Sequence, residues 1–156
     1  NGSRHPEIGH IPLRRHPNDR AFTSVCPFHP DCAEGFASGP AVIARWGRSL
    51  SDSLDSSAHR SEVLDVMGDY LGQIAMSILL HHQPSTIVLG GGVMESAELL
   101  TVTRKALKRQ LGGYFPELDN GTAIEQLLAP PTLAPVSGTA GAFLLGLQAA
   151  TNGKIS

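Results

Sequence analysis

Thr86-Ile87-Val88-Leu89-Gly90-Gly91-Gly92 is the stretch that decides the fold class of this chain. A short continuous apolar run is the signature of a buried strand, and the glycines end it in a turn. Upstream, residues 60–82 carry Val63, Met67, Leu71, Ile74, Ile78 and Leu79 at three- and four-residue intervals, the spacing of one helix face. His81-His82 followed by Pro84 marks the end of that helix. Downstream, a further helix is expected at about 96–111. Helix, buried strand, glycine turn, helix is α/β organisation.

The flanks extend this pattern. Residues 38–46 read as a helix, with Ser38 as its cap, Pro40 in its first turn and Gly47 at its end. Residues 49–57, rich in Ser and Asp, read as an exposed turn. Residues 112–136 form a mixed connection containing Gly112-Gly113, Asp119-Asn120-Gly121 and Pro130-Pro131, with one short helix expected within 121–129. Gly138-Thr139-Ala140-Gly141-Ala142 opens an apolar helix that runs to about Ala150, and its small residues permit close backbone approach. There is no internal repeat and no low-complexity tract.

A chain of 156 residues fits one domain and buries one core. Its apolar fraction is 41% and its formal net charge is −2, so nothing steers it toward nucleic acid or an anionic membrane. The basic groups Arg14-Arg15 and Arg104-Lys105…Lys108-Arg109 are local, and the second reads as a solvated helix face. No apolar stretch is expected to reach the ~20 residues that span a bilayer, and no signal peptide is apparent. A cytoplasmic location is therefore expected. Asn1 does not look like a natural start, which points to a piece of a longer protein.

Residues 1–34 are rich in loops and prolines (Pro6, Pro12, Pro17, Pro27, Pro30) and lack a periodic apolar face. Such an arm needs a staple. Both cysteines of the chain lie in Cys26-Pro27-Phe28-His29-Pro30-Asp31-Cys32, with a histidine between them. Interleaved histidines favour a metal over a disulfide. His10, Cys26, His29 and Cys32 together make the tetrahedral nitrogen and sulfur set of structural zinc, and His16 rivals His10 for the fourth place. His5, His59, His81 and His82 have no partner pattern. If zinc holds both cysteines, neither is a free nucleophile.

Glu7 and Glu34 sit close to these ligands in sequence. A carboxylate offers paired acceptor oxygens that suit adjacent sugar hydroxyls, although taken singly each reads more simply as a solvated or capping acid. Gly90, Gly91 and Gly92 allow a ligand to approach the backbone at a helix N-terminus. They match neither the dinucleotide fingerprint nor a Walker loop, and a plain left-handed turn accounts for them as well as a nucleotide contact does.

Several words in this order resemble the ROK family of sugar kinases and repressors, and most nearly its bacterial fructokinase branch. They are His5-Pro6-Glu7-Ile8-Gly9-His10, Cys26-Pro27-Phe28-His29-Pro30-Asp31-Cys32-Ala33-Glu34-Gly35, Ala37-Ser38-Gly39-Pro40-Ala41 and Ile87-Val88-Leu89-Gly90-Gly91-Gly92-Val93. Gly112-Gly113-Tyr114 and Gly138-Thr139-Ala140-Gly141-Ala142 add to the likeness, which covers essentially the whole chain. The other branches of the family usually carry a Cys-x-Cys-Gly-x-x-Gly-Cys-x-Glu word instead.

The resemblance implies the C-terminal lobe of an actin-like ATPase (ribonuclease H-like) fold with a zinc-stapled loop. It divides residues 1–156 into a sugar-contacting, zinc-binding segment at 1–35 and an α/β lobe at 36–156. Glu7, His10 and Glu34 would hold a hexose. Gly90, Gly91 and Gly92 would lie beside ATP, and His10, Cys26, His29 and Cys32 would bind zinc. The family's Asp-x-Gly-x-Thr phosphate turn and its Asn-Asp segment, which carries the general base, belong to an N-terminal lobe that this chain lacks. The whole protein would phosphorylate fructose with Mg-ATP, as a homodimer, while this piece alone would not turn over. The alternative is the sugar-sensing lobe of a ROK-type repressor, which a helix-turn-helix upstream would mark.

Overall fold

A computed structural model of the chain describes residues 6–56, 58–91, 96–132 and 137–152. The long helix sets the frame. It spans Arg60–His82 and is called α4 here, after three shorter helices: α1 (Ala33–Ala37), α2 (Gly39–Trp46) and α3 (Leu50–Asp55). The expected face is buried at Val63, Met67, Leu71 and Leu79, while Ile74 and Ile78 are partly covered. Burial extends beyond that face to Val66, Tyr70 and Gln73, because short elements surround the helix. By length and apolar composition α4 meets the requirement for a bilayer span, contrary to expectation, but most of its apolar window is buried inside the protein. It ends at Gln83, a non-glycine residue held at φ 43°.

After α4 comes β1, Ile87–Val88, followed by α5 (Ala97–Leu111), α6 (Gly121–Leu127), β2 (Leu128–Ala129) and α7 (Ser137–Asn152). β1 pairs in parallel with β2, Ile87 opposite Leu128 and Val88 opposite Ala129, and Leu89 extends the ladder by donating to the Ala129 carbonyl at 3.1 Å. The result is α/β but mostly helical, with a two-stranded sheet. The expected buried strand is only half buried: Ile87 faces the core and Val88 is exposed.

Residues 49–57 correct the sequence reading. The first part of that stretch is α3, capped by Ser49, whose hydroxyl accepts from Asp52 N–H, with Leu50, Ser53 and Leu54 buried. Ser and Asp suit helix N-termini as well as turns, and two leucines four apart were enough to bury one face. The caps expected for α2 are present. Ser38 accepts from Ala41 N–H ahead of α2 and Gly47 closes that helix at φ 72°. Ser96 caps α5, and Gly112 ends it at φ 59°.

The expected solvated basic face of α5 proves to be a set of fasteners. Arg104 donates to the Leu128 carbonyl at 2.7 and 2.9 Å and to that of Glu125. Lys108 reaches the Asp119 carbonyl and Arg109 the Asp69 carboxylate. The Arg104 bonds seat the α6–β2 corner, and through β2 its partner β1, while Arg109 ties α5 to α4.

Candidate metal centre and adjoining cleft

The proline-rich arm reaches the core in an ordered path. Ile8–His10 makes one 3-10 turn, Pro17–Asp19 another, and Pro12 bridges Cys32 in an antiparallel pair. Leu13 N–H donates to the Asp31 carbonyl at 2.8 Å and Ala33 N–H to that of Ile11 at 3.0 Å. This short ladder carries the His10 turn alongside the Cys26–Cys32 loop.

His10, Cys26, His29 and Cys32 converge, with one ligand atom from each lying within 4.8 Å of all the others. His10 Nδ1 stands 3.9 Å from both sulfurs, and His29 Nδ1 lies 3.8 Å from Cys26 Sγ. Tetrahedral zinc with bonds of about 2.3 Å to sulfur and about 2.0–2.1 Å to nitrogen separates N from S by roughly 3.6 Å. The residues present therefore fit such an ion. Cys32 is 1% exposed and Cys26 9%, His10 is half-buried and His29 lies at the surface.

The two thiols differ electrostatically. A backbone N–H at Phe28 pulls the Cys26 thiol below its ordinary pKa, whereas burial pushes that of Cys32 up. Cys32 also caps α1, its sulfur accepting from Gly35 N–H at 3.4 Å. His16, the rival ligand, is elsewhere. Its Nδ1 accepts from Asn18 N–H and its Nε2 sits 3.5 Å from Asp65. His59, His81 and His82 are remote from the cluster, and His5 lies outside the described residues.

His10 faces two ways. While Nδ1 points at the sulfurs, Nε2 lies 3.5 Å from Glu34 Oε2. Glu34, in the first turn of α1, borders a cavity of about 310 Å³ whose lining includes Ile8, Gly9, Ser38, Leu89 and Gly90. A Cβ at Gly9 would lie 3.6 Å from Glu34 Oε2, so Gly9 and Glu34 are neighbours on the cavity wall. Leu89 and Gly90, at the end of β1, thus share one cleft with Glu34. Gly91 follows at φ 85°, the left-handed turn expected of it, and Gly92 lies outside the described residues. Glu7 precedes the His10 turn and its side chain is exposed. A second cavity, of about 570 Å³, is lined in part by Arg15, Phe22, Phe28 and His29.

Sequence reasoning missed the residues that hold the arm in place. Asp19 is buried, paired with Arg45 at 2.8 and 2.9 Å, and accepts from the Tyr70 hydroxyl at 2.6 Å. Gln73 bonds to both the N–H and the carbonyl of Arg14. The available signal was a glutamine one turn from a tyrosine on a buried helix, at positions where an apolar residue would be the ordinary choice.

A mostly helical α/β chain with a Cys/His cluster that could hold a cation, beside a largely apolar cleft bordered by Glu34, is the class of protein these features define. The ROK family model matches residues 1–149, and the chain belongs to that family, within the actin-like ATPase superfamily. It is 36% identical over 148 residues to a protein named putative fructokinase from Bacillus subtilis, covering 95% of this chain and 48% of that one. It is also 36% identical to a fructokinase of Zymomonas mobilis, covering 95% of this chain and 47% of the relative. A Pediococcus pentosaceus fructokinase matches at 36% over 155 residues, with 97% and 50% covered. The chain thus spans about half the length of the curated relatives it matches.

Proposed function

We propose that this chain is the sugar-side lobe of a zinc-containing, ATP-dependent fructokinase. Residues 1–35 are its sugar-contacting and metal-binding segment, and residues 36–156 its α/β lobe. The observation that carries the reading is the shared cleft: Glu34 and Gly9 line one side, Leu89 and Gly90 the other. Glu7 and Glu34 hydrogen-bond hexose hydroxyls, with His10 beside the sugar, and Gly90, Gly91 and Gly92 border the nucleotide. His10, Cys26, His29 and Cys32 hold the structural zinc, whose chemistry is to fix the loop and the imidazole rather than to act on substrate.

In this scheme a carboxylate at Glu34 grips paired hydroxyls while His10 Nε2, 3.5 Å away, orients it. The acceptor hydroxyl is thereby aimed at the phosphoryl donor lying along the glycine turn. Phosphoryl transfer also needs a base and a phosphate clamp held in line. Those groups belong to the other half of the protein, so this chain alone has no turnover, and the whole polypeptide phosphorylates fructose with Mg-ATP. The family likeness extends the proposal to a cytoplasmic homodimer. No observation favours the repressor reading.

The test is a coupled assay of ADP release by the full-length gene product. Fructose-dependent release is expected, and its absence overturns the reading. Glu34→Gln is expected to lower kcat/KM by about 10- to 100-fold, the loss of one charged hydrogen bond. The chain of residues 1–156 assayed alone is expected to release no ADP above background.

A further inference from the structure

The arm that carries His10 and Cys26 is fastened in two separate places. Its first part is gripped by α4. Gln73 meets Arg14 as a neighbouring strand would: its Oε1 accepts the Arg14 N–H at 2.7 Å and its Nε2 donates to the Arg14 carbonyl at 2.9 Å. One turn earlier, the Tyr70 hydroxyl accepts from His16 N–H at 3.2 Å and donates to Asp19 at 2.6 Å. Asp65 takes the Asn18 amide at 3.2 Å, and Leu13 is buried in the core. Asp19 is further pinned by Arg45 from α2. None of these contacts includes a metal ligand.

The second part is different. Pro27, Phe28, His29 and Pro30 are all exposed. The loop's internal bonds are few: Ser24 Oγ donates to the His29 carbonyl and accepts from Cys26 N–H, and Val25 N–H reaches the Gly35 carbonyl. The loop's far end is tied to the strap at Asp31, whose carbonyl accepts from Leu13 N–H and whose carboxylate pairs with Arg15, both at 2.8 Å. Between Cys26 and that point, what draws His29 inward is the Ser24 contact and the ligand cluster itself.

We infer that α4, through Gln73 and Tyr70, holds residues 11–22 in place without a metal, so that the cation orders only residues 23–31 and the His10–Glu34 edge. The inference rests on the metal reading above for its second half and on α4 alone for its first. It replaces the picture of one staple for the whole arm with a fixed strap and a loop that the ion closes. Loss of the ion would then loosen the acid side of the cleft while the lobe stays folded.

Hydrogen–deuterium exchange on the purified chain tests this, comparing protein loaded with one equivalent of zinc, checked by elemental analysis, with the same protein after chelation. Chelation is expected to speed exchange in residues 23–31 by on the order of tenfold or more and to leave residues 11–22 within about twofold. Equal loosening of the whole arm on chelation overturns the inference. The strap is tested in metal-free protein, where Gln73→Leu and Tyr70→Phe are each expected to speed exchange in residues 11–22. Unchanged exchange there in both variants, with helical circular dichroism retained, overturns it as well. Protein that takes up no zinc overturns the metal reading and the loop's closure, and the two variants then still decide the strap.

Discussion

Gly35 has no room for a side chain. A Cβ there would stand 2.0 Å from Ser24 Oγ and 3.2 Å from Cys26 Cβ, against the loop that carries two of the ligand atoms. Gly35→Ala is expected to displace Cys26 and weaken zinc affinity by about tenfold or more, read by competition with a chromophoric chelator. Cys32→Ser is expected to cost more, because it removes both a thiolate and the cap on α1. Tyr70 sets a pH dependence of its own. Burial, together with its hydrogen bond to Asp19, holds the phenol pKa above its ordinary value of 10.0. The fold favours the neutral phenol, so this share of stability is intact below about pH 10 and declines as pH rises beyond it. Denaturant titrations above pH 10 are expected to show a shallower decline for Tyr70→Phe than for the parent chain.

Among the elements, α4 and α5 meet across two glycines. A Cβ on Gly72 would lie 2.9 Å from Ala106 Cβ and 3.1 Å from Leu107 N, and one on Gly68 would lie 2.8 Å from Val102 Cγ2. Backbone cannot yield as a side-chain tip can, so Gly72→Ala is expected to destabilise by about 1–3 kcal/mol in urea unfolding despite alanine's better helix propensity. Arg104→Ala leaves the carbonyl of Leu128, itself a buried residue, without this donor. Its expected cost is about 1–3 kcal/mol, with fraying at the β1–β2 pair. Two caps and the long helix period were legible: Ser38, Gly47 and the extent of α4 follow from local chemistry. The helical nature of residues 50–55 was not, since Ser- and Asp-rich runs serve both caps and turns. Burial against α4 settles that choice.

At the level of the molecule, α7 stands out. Its side chains Phe143, Leu144, Leu145 and Leu147 are 66, 60, 69 and 48% exposed, and no charged residue interrupts them. Such a surface binds hydrophobic dyes, and Phe143→Ser/Leu145→Ser is expected to reduce dye fluorescence without changing zinc content. The candidate site was partly legible. The Cys-x-x-His-x-x-Cys spacing named three candidate ligands, and His10, not His16, lies within 3.9 Å of both sulfurs. That Glu34 and Gly90 would border one cavity was open to no local reading, because the segments between them are α1 to α4 and β1.

Sequence by itself determined the period of α4, the stop of α2 and the chemistry available at Cys26, His29 and Cys32, because each depends on residues within a few positions of one another. It determined the family because such local words recur in a fixed order along the chain. Only the tertiary structure decided how the arm is held. A glutamine side chain that pairs with backbone 59 residues away leaves no local pattern, since hydrogen bonding there depends on two elements meeting in space and not on spacing along the chain.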